Sequence, residues 1–157
     1  MEFAYNNRFL KLTEGNNIES FKNKVKPPLM KLLNDDFIKI DGCHYYSFMA
    51  PNGPFSKDLT DRTGNEAFFN KIQIDDYLEL ENELDFFIQG VGYSILLFEK
   101  LEKCYTESFR VIFSYDGSFA NVTFYKVRDG ESWLSDDLEN YKLESILVIS
   151  PSEHRIK

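Results

Sequence analysis

Phe109-Arg110-Val111-Ile112-Phe113-Ser114-Tyr115-Asp116-Gly117-Ser118-Phe119-Ala120-Asn121-Val122-Thr123-Phe124-Tyr125 sets two β-prone runs on either side of Asp-Gly. In an extended chain successive side chains point to opposite faces. Phe109, Val111, Phe113 and Tyr115 therefore share one face, and Arg110, Ile112 and Ser114 the other. The pattern predicts an antiparallel hairpin. Ser145-Ile146-Leu147-Val148-Ile149, closed by Ser150-Pro151, reads as a last strand. Upstream, Phe37-Ile38-Lys39-Ile40 and Cys43-His44-Tyr45-Tyr46-Ser47-Phe48-Met49 flank Asp41-Gly42. Asp-Gly between such runs predicts a type I′ turn, which needs positive φ at both central residues.

Helical spacing fills the gaps between these strands. Leu80, Leu84, Phe87, Ile88, Val91, Ile95, Phe98 and Leu101 recur with helical period, predicting a long helix from about Asp75 to Tyr105. Gly90 and Gly92 inside it signal a kink or the close approach of a strand, since each costs about 1 kcal/mol against alanine in a helix. A second apolar stripe, Ile18, Phe21, Val25, Leu29, Leu32 and Leu33, follows the candidate cap Asn17. Pro27-Pro28 divides it into two short helices or bends one, because proline lacks an amide hydrogen and clashes with the preceding turn. Residues 51–65, rich in Pro, Gly, Asn and Asp, read as a central loop. The expected fold is α+β: one domain over residues 1–157, an antiparallel sheet of about five strands, and helices packed on one face.

Composition narrows the function classes. The 157 residues are 43% hydrophobic and 16% aromatic, which argues against disorder. No apolar run approaches the roughly 18–20 residues that span a bilayer. The start, MEFAYNNRF, carries no basic segment followed by an apolar one, so no secretory signal is expected. Cys43 and Cys104 are too few for a disulfide scaffold, and both are expected reduced in a cytoplasmic protein. The net charge of −8 is unevenly placed. Residues 1–31 are basic on balance, whereas Asp75, Asp76, Glu79, Glu81, Glu83 and Asp85 run without a cation. Asp129, Glu131, Asp136, Asp137, Glu139 and Glu144 form a later acidic stretch with Lys142. Such surfaces repel phosphate, so nucleic acid is not the expected partner. They suit a cationic protein, although acidity also serves solubility.

Catalytic patterns are few. His44 and His154 are the histidines. Cys43 and His44, adjacent in a strand, point to opposite faces and cannot act as nucleophile and base. Neither C-x₂-C nor H-x₃-H spacing is present, so no metal or other cofactor is expected. The carboxylate pairs Asp75/Glu79 and Glu79/Glu83, at i,i+4 on the expected helix, read as a solvated acidic face. No hydrolase, zinc-protease, EF-hand or Walker motif occurs, and the expectation is a protein that is not an enzyme. Trp133 stands among acids in Arg128-Asp129-Gly130-Glu131-Ser132-Trp133-Leu134-Ser135-Asp136-Asp137. It reads either as an exposed anchor, since tryptophan is enriched at interface hot spots, or as packing on the sheet.

Ser114-Tyr115-Asp116-Gly117-Ser118-Phe119, between two β runs after a long acidic amphipathic helix, resembles the closing hairpin of YezG-like antitoxin and immunity proteins. The order of elements is also similar to that family. More broadly the chain resembles the small acidic immunity proteins that accompany bacterial polymorphic and contact-dependent toxins. The resemblance implies a cytoplasmic protein that binds and neutralises a cognate toxin domain by occlusion, with no catalytic residue. The partner-binding candidates are Asp129, Glu131, Trp133, Asp136 and Asp137, with Asp75, Asp76, Glu79 and Glu83 as a second surface. Two other readings stay open. One is a small enzyme or ligand-binding domain with an aromatic-lined cavity between helix and sheet. The other is a phage or structural assembly subunit.

Overall fold

β5 (Phe109–Tyr115) is the central strand of a five-stranded antiparallel sheet, so the stretch quoted first is also the middle of the fold. The computed structural model describes residues 1–56 and 60–153. β6 (Ala120–Lys126) pairs with one side of β5, and β7 (Ser145–Ser150) with the other. β1 (Glu2–Tyr5) extends the sheet beyond β7, and β4 (Ile72–Gln73) beyond β6. β2 (Phe37–Ile40) and β3 (Cys43–Tyr46) make a separate two-stranded hairpin. Its turn has φ of 52° at Asp41 and 77° at Gly42, the two left-handed residues that a type I′ turn requires. The α+β class and a five-stranded antiparallel sheet follow the sequence reading, although the early hairpin stands apart from that sheet and β1 and β4 complete it.

The β5–β6 connection is wider than Asp-Gly alone. Tyr115 pairs with Ala120, so residues 116–119 all lie in the turn, and β6 begins two residues later than expected. The Asp116 carboxylate explains the width: it accepts from the amides of Ser118 and Phe119, both at 2.8 Å.

α4 (Glu83–Cys104) crosses the core face of the sheet. It starts later than the apolar period implies, because Ile74–Asp76 forms a 3-10 turn and Asn82 caps the helix through the Asp85 amide. Asp75, Asp76, Glu79 and Leu80 therefore precede the helix, which corrects the expected i,i+4 carboxylate pairs. Leu84, expected buried on the stripe, is 39% exposed in the first turn; Phe87, Val91, Ile95 and Phe98 are buried as expected. The two glycines mark close approach. A Cβ at Gly90 would lie 2.3 Å from the Phe113 ring, and one at Gly92 2.5 Å from the Phe21 carbonyl oxygen.

Phe21 belongs to a 3-10 segment (Ile18–Lys24) capped by Asn17. α2 (Pro27–Leu33) follows with its two prolines in the first turn, where no amide hydrogen is needed. The prolines thus separate two short helical pieces. α1 (Asn7–Thr13) joins the same face; it and β1 lie in a segment the sequence left unassigned.

The opposite face of the sheet is covered too. α3 (Arg62–Phe69), which begins inside the stretch expected as loop and runs beyond it, sets Ala67 against Ile112, Tyr125 and Ile146. Leu134, Leu138 and Tyr141, from the β6–β7 connection, pack on the same cluster. Among the described residues no helix is long and apolar enough to cross a membrane.

Candidate functional site

Between α3 and the β6–β7 connection the second sheet face is left partly open. The opening is a hollow of about 380 Å³. Trp133, Phe68 and Tyr141 stand around it, Ser114, Asn121 and Thr123 rise from the sheet, and Lys71 and Glu144 bring charge. Trp133 is 44% exposed and Phe68 68%, so two large rings face solvent at one site.

Polar bonds fix both walls. The Thr123 hydroxyl donates to the Ala67 carbonyl at 2.6 Å, tying α3 to β6. Asp61 caps α3 through the Gly64 amide at 2.7 Å. Glu131 accepts from the Thr63 amide at 3.1 Å and its hydroxyl at 2.7 Å, so the connection itself satisfies the start of α3. On the far side the buried Asn6 side chain donates to the carbonyls of Glu144 and Tyr141 and accepts from the Ile146 amide at 3.1 Å. The Tyr141 hydroxyl accepts from the Ser135 amide at 2.9 Å.

The candidates from the sequence divide by what they already hold. Asp129, Asp136 and Glu79 are exposed. Glu131 is engaged by α3, and Asp137 caps the 3-10 turn Leu138–Asn140 through the Glu139 amide at 3.0 Å. Asp75 accepts from Gln73 at 2.8 Å and Asp76 from the same amide at 3.3 Å, while Tyr115 donates to Glu83 at 3.5 Å. Trp133 joins the late acids on one connection. Asp75, Asp76 and Glu79 line a different, open depression beside Tyr77 and Phe86. His154 lies outside the described residues.

A buried ionic cluster, absent from the sequence reading, sits between the small hairpin, α3 and the end of β6. Glu66 and His44 have no exposed side-chain surface. Arg128 grips Glu66 with both terminal nitrogens, at 2.8 and 3.0 Å. The amides of His44 and Lys126 donate to the same carboxylate, at 2.7 and 2.8 Å. Burial pushes the Glu66 carboxyl up, but the hydrogen bonds from His44 and Arg128 outweigh it and hold it below the usual range. His44 Nδ1 lies 3.4 Å from Glu66, and its ring packs edge-on against Tyr105 and Phe109. Cys43 is buried on the other side of the strand, its sulfur 3.9 Å from the Arg62 carbonyl, and burial pushes its thiol up. The geometry joins three elements and gives a substrate no access to either the histidine or the glutamate. Its sequence signal was slight, a glutamate within Asn65-Glu66-Ala67-Phe68-Phe69 in a stretch dense with turn residues.

The chain is 32% identical over 132 residues to "Uncharacterized protein PM0498" of Pasteurella multocida (strain Pm70), an alignment covering 76% of this chain and 78% of that protein. No solved structure matches the chain significantly. A family model matches residues 4–156, a span that takes in both walls of the hollow and the ionic cluster, and the chain belongs to the family it describes, the Uncharacterized protein PM0498 family.

Proposed function

We propose that this protein is a binding module acting by occlusion: an immunity protein of the cytoplasm that neutralises a toxin domain with a basic surface. The observation that carries the reading is the pair Trp133 and Phe68, exposed together at the mouth of one hollow. Exposed apolar surface rimmed by polar groups marks interaction sites, and tryptophan is the residue most often found at their energetic centre. The exposed carboxylates of Asp129 and Asp136 on the same connection, and the net charge of −8, favour a cationic partner. The implied mechanism is steric: aromatic anchors supply apolar contact while the acids cover lysines and arginines that the toxin uses on an anionic substrate.

The test is protection in cells. A toxin domain captured by co-purification with the protein from its host is co-expressed with the wild-type protein or with the Trp133→Ala/Phe68→Ala variant. Wild type is expected to relieve growth arrest and the variant to fail while keeping its thermal unfolding midpoint. Full protection by the variant, or none by wild type, would sink the proposal. The hollow also favours a second reading, a small-ligand site, which a stoichiometric adduct in native mass spectrometry would support.

A further inference from the structure

Lys71 and Glu144 both line the hollow, and neither enters an ion pair among the described residues. The sheet order explains why they do not meet. Glu144 immediately precedes β7 and Lys71 immediately precedes β4, with β5 and β6 between those strands. Three strand spacings amount to roughly 14 Å. A cation and an anion thus stand at opposite sides of one opening. Both stand on fixed backbone. The Glu144 carbonyl accepts from the buried Asn6 side chain at 2.7 Å, and the buried side chain of Asn70, next to Lys71, donates to the His44 carbonyl at 2.8 Å. Each charge also has a large apolar neighbour in solvent. Leu143, beside Glu144, is 80% exposed, and Phe68, at the end of α3 just before Lys71, is 68% exposed. No other large hydrophobic residue among those described is as exposed as these two.

This arrangement restricts what can cover the face. A partner surface of one charge sign would pair with one side and be repelled at the other. A small zwitterion, its charges a few bonds apart, cannot reach both. The arrangement is instead its own complement. A two-fold axis in the contact plane, midway between Lys71 and Glu144 and perpendicular to the line joining them, carries each position onto the other. A second copy placed by that axis sets its Lys71 against Glu144 and its Glu144 against Lys71. The same operation brings the Phe68 side of each copy to the Leu143 side of the other, the reciprocity that a closed two-fold contact requires. We infer that this face pairs with a second copy of the chain in a two-fold dimer held by two Lys71–Glu144 ion pairs. The inference goes beyond the docking role proposed above: self-pairing covers the same face, so a toxin domain competes with the second copy for it.

Sedimentation equilibrium of the full-length protein over a concentration series at low ionic strength is the test. The mass of wild type is expected to rise with concentration and to stop at two chains. Lys71→Glu and Glu144→Lys each place like charges together twice in the dimer, so each should weaken it at least about tenfold. The double reversal Lys71→Glu/Glu144→Lys recreates both pairs and should restore dimerisation. Leu143→Ser removes apolar contact without touching a charge and should also weaken the dimer, which keeps the test decisive if a reversal unsettles the fold. Thermal midpoints near wild type are the control for every variant. The inference is overturned by a wild type that stays monomeric up to about 1 mM, by single reversals without effect, by a folded double reversal that stays monomeric, or by growth past two chains. If Trp133→Ala/Phe68→Ala still abolishes protection in that event, the docking face stands and only the self-pairing falls.

Discussion

Glu66 and Trp133 show how differently single residues contribute. Glu66 is a buried anion whose remaining partners, Arg128 and the His44 amide, would be left uncompensated by its removal. Glu66→Ala is therefore expected to cost about 3–5 kcal/mol, measured by denaturant unfolding; a cost near zero would mean that water takes over the carboxylate's role. Because the folded carboxyl lies below its usual range, its contribution is complete above the unfolded value of about 4.3 and is lost as pH falls through the folded value. Wild type should lose more stability than Glu66→Gln on acidification from pH 5 to pH 3. Trp133 carries the opposite expectation. Half exposed beside the hollow, it should matter little for folding, while Trp133→Ala weakens a complex by about 2 kcal/mol or more, mainly through faster dissociation.

Along α4 the elements test packing against helix propensity. Propensity alone favours alanine over glycine at positions 90 and 92 by about 1 kcal/mol each. Packing reverses the sign. At Gly90 the new methyl meets the edge of the buried Phe113 ring; at Gly92 it meets the Phe21 backbone, which yields less readily than a side chain. Both alanine variants should be destabilised, with Gly92→Ala the worse, by about 1–3 kcal/mol. Equal or raised stability at Gly92 would show that the Ile18–Lys24 segment yields easily. The helical phase is tested separately: Phe98→Ala should cost about 3–5 kcal/mol, and Leu84→Ala, in the exposed first turn, under about 1 kcal/mol.

For the whole molecule the expectation is electrostatic. If the acidic connection steers a basic partner, association should slow as the Debye length falls from about 10 Å to 3 Å between 0.1 and 1 M salt. Reversing Asp129 and Asp136, both exposed, should lower the on-rate and leave the thermal midpoint near wild type. Asp137 is a poorer choice, because it also caps a turn. An on-rate indifferent to salt would remove steering from the mechanism. What the sequence determined by itself was local and periodic. The alternation in residues 109–125, the helical stripe from Phe87 to Leu101 and the type I′ signal at Asp41-Gly42 are written within a few residues of chain, where neighbours alone fix side-chain direction. The ends of elements were less legible, since Asn82 and Asp116 compete with the apolar period through side-chain bonds to the backbone. α3 was missed because Asp61, Thr63, Gly64 and Asn65 read as turn formers. They serve instead as the cap and first turn of a helix that Glu131, distant in sequence, completes. The candidate acids and Trp133 could be named from the chain, but only the tertiary structure decided which carboxylates were already engaged and brought Phe68 and Trp133 to one hollow. Glu66, His44 and Arg128 likewise meet only in the fold. Contacts between residues so far apart depend on sheet order and loop path, and no local period records them.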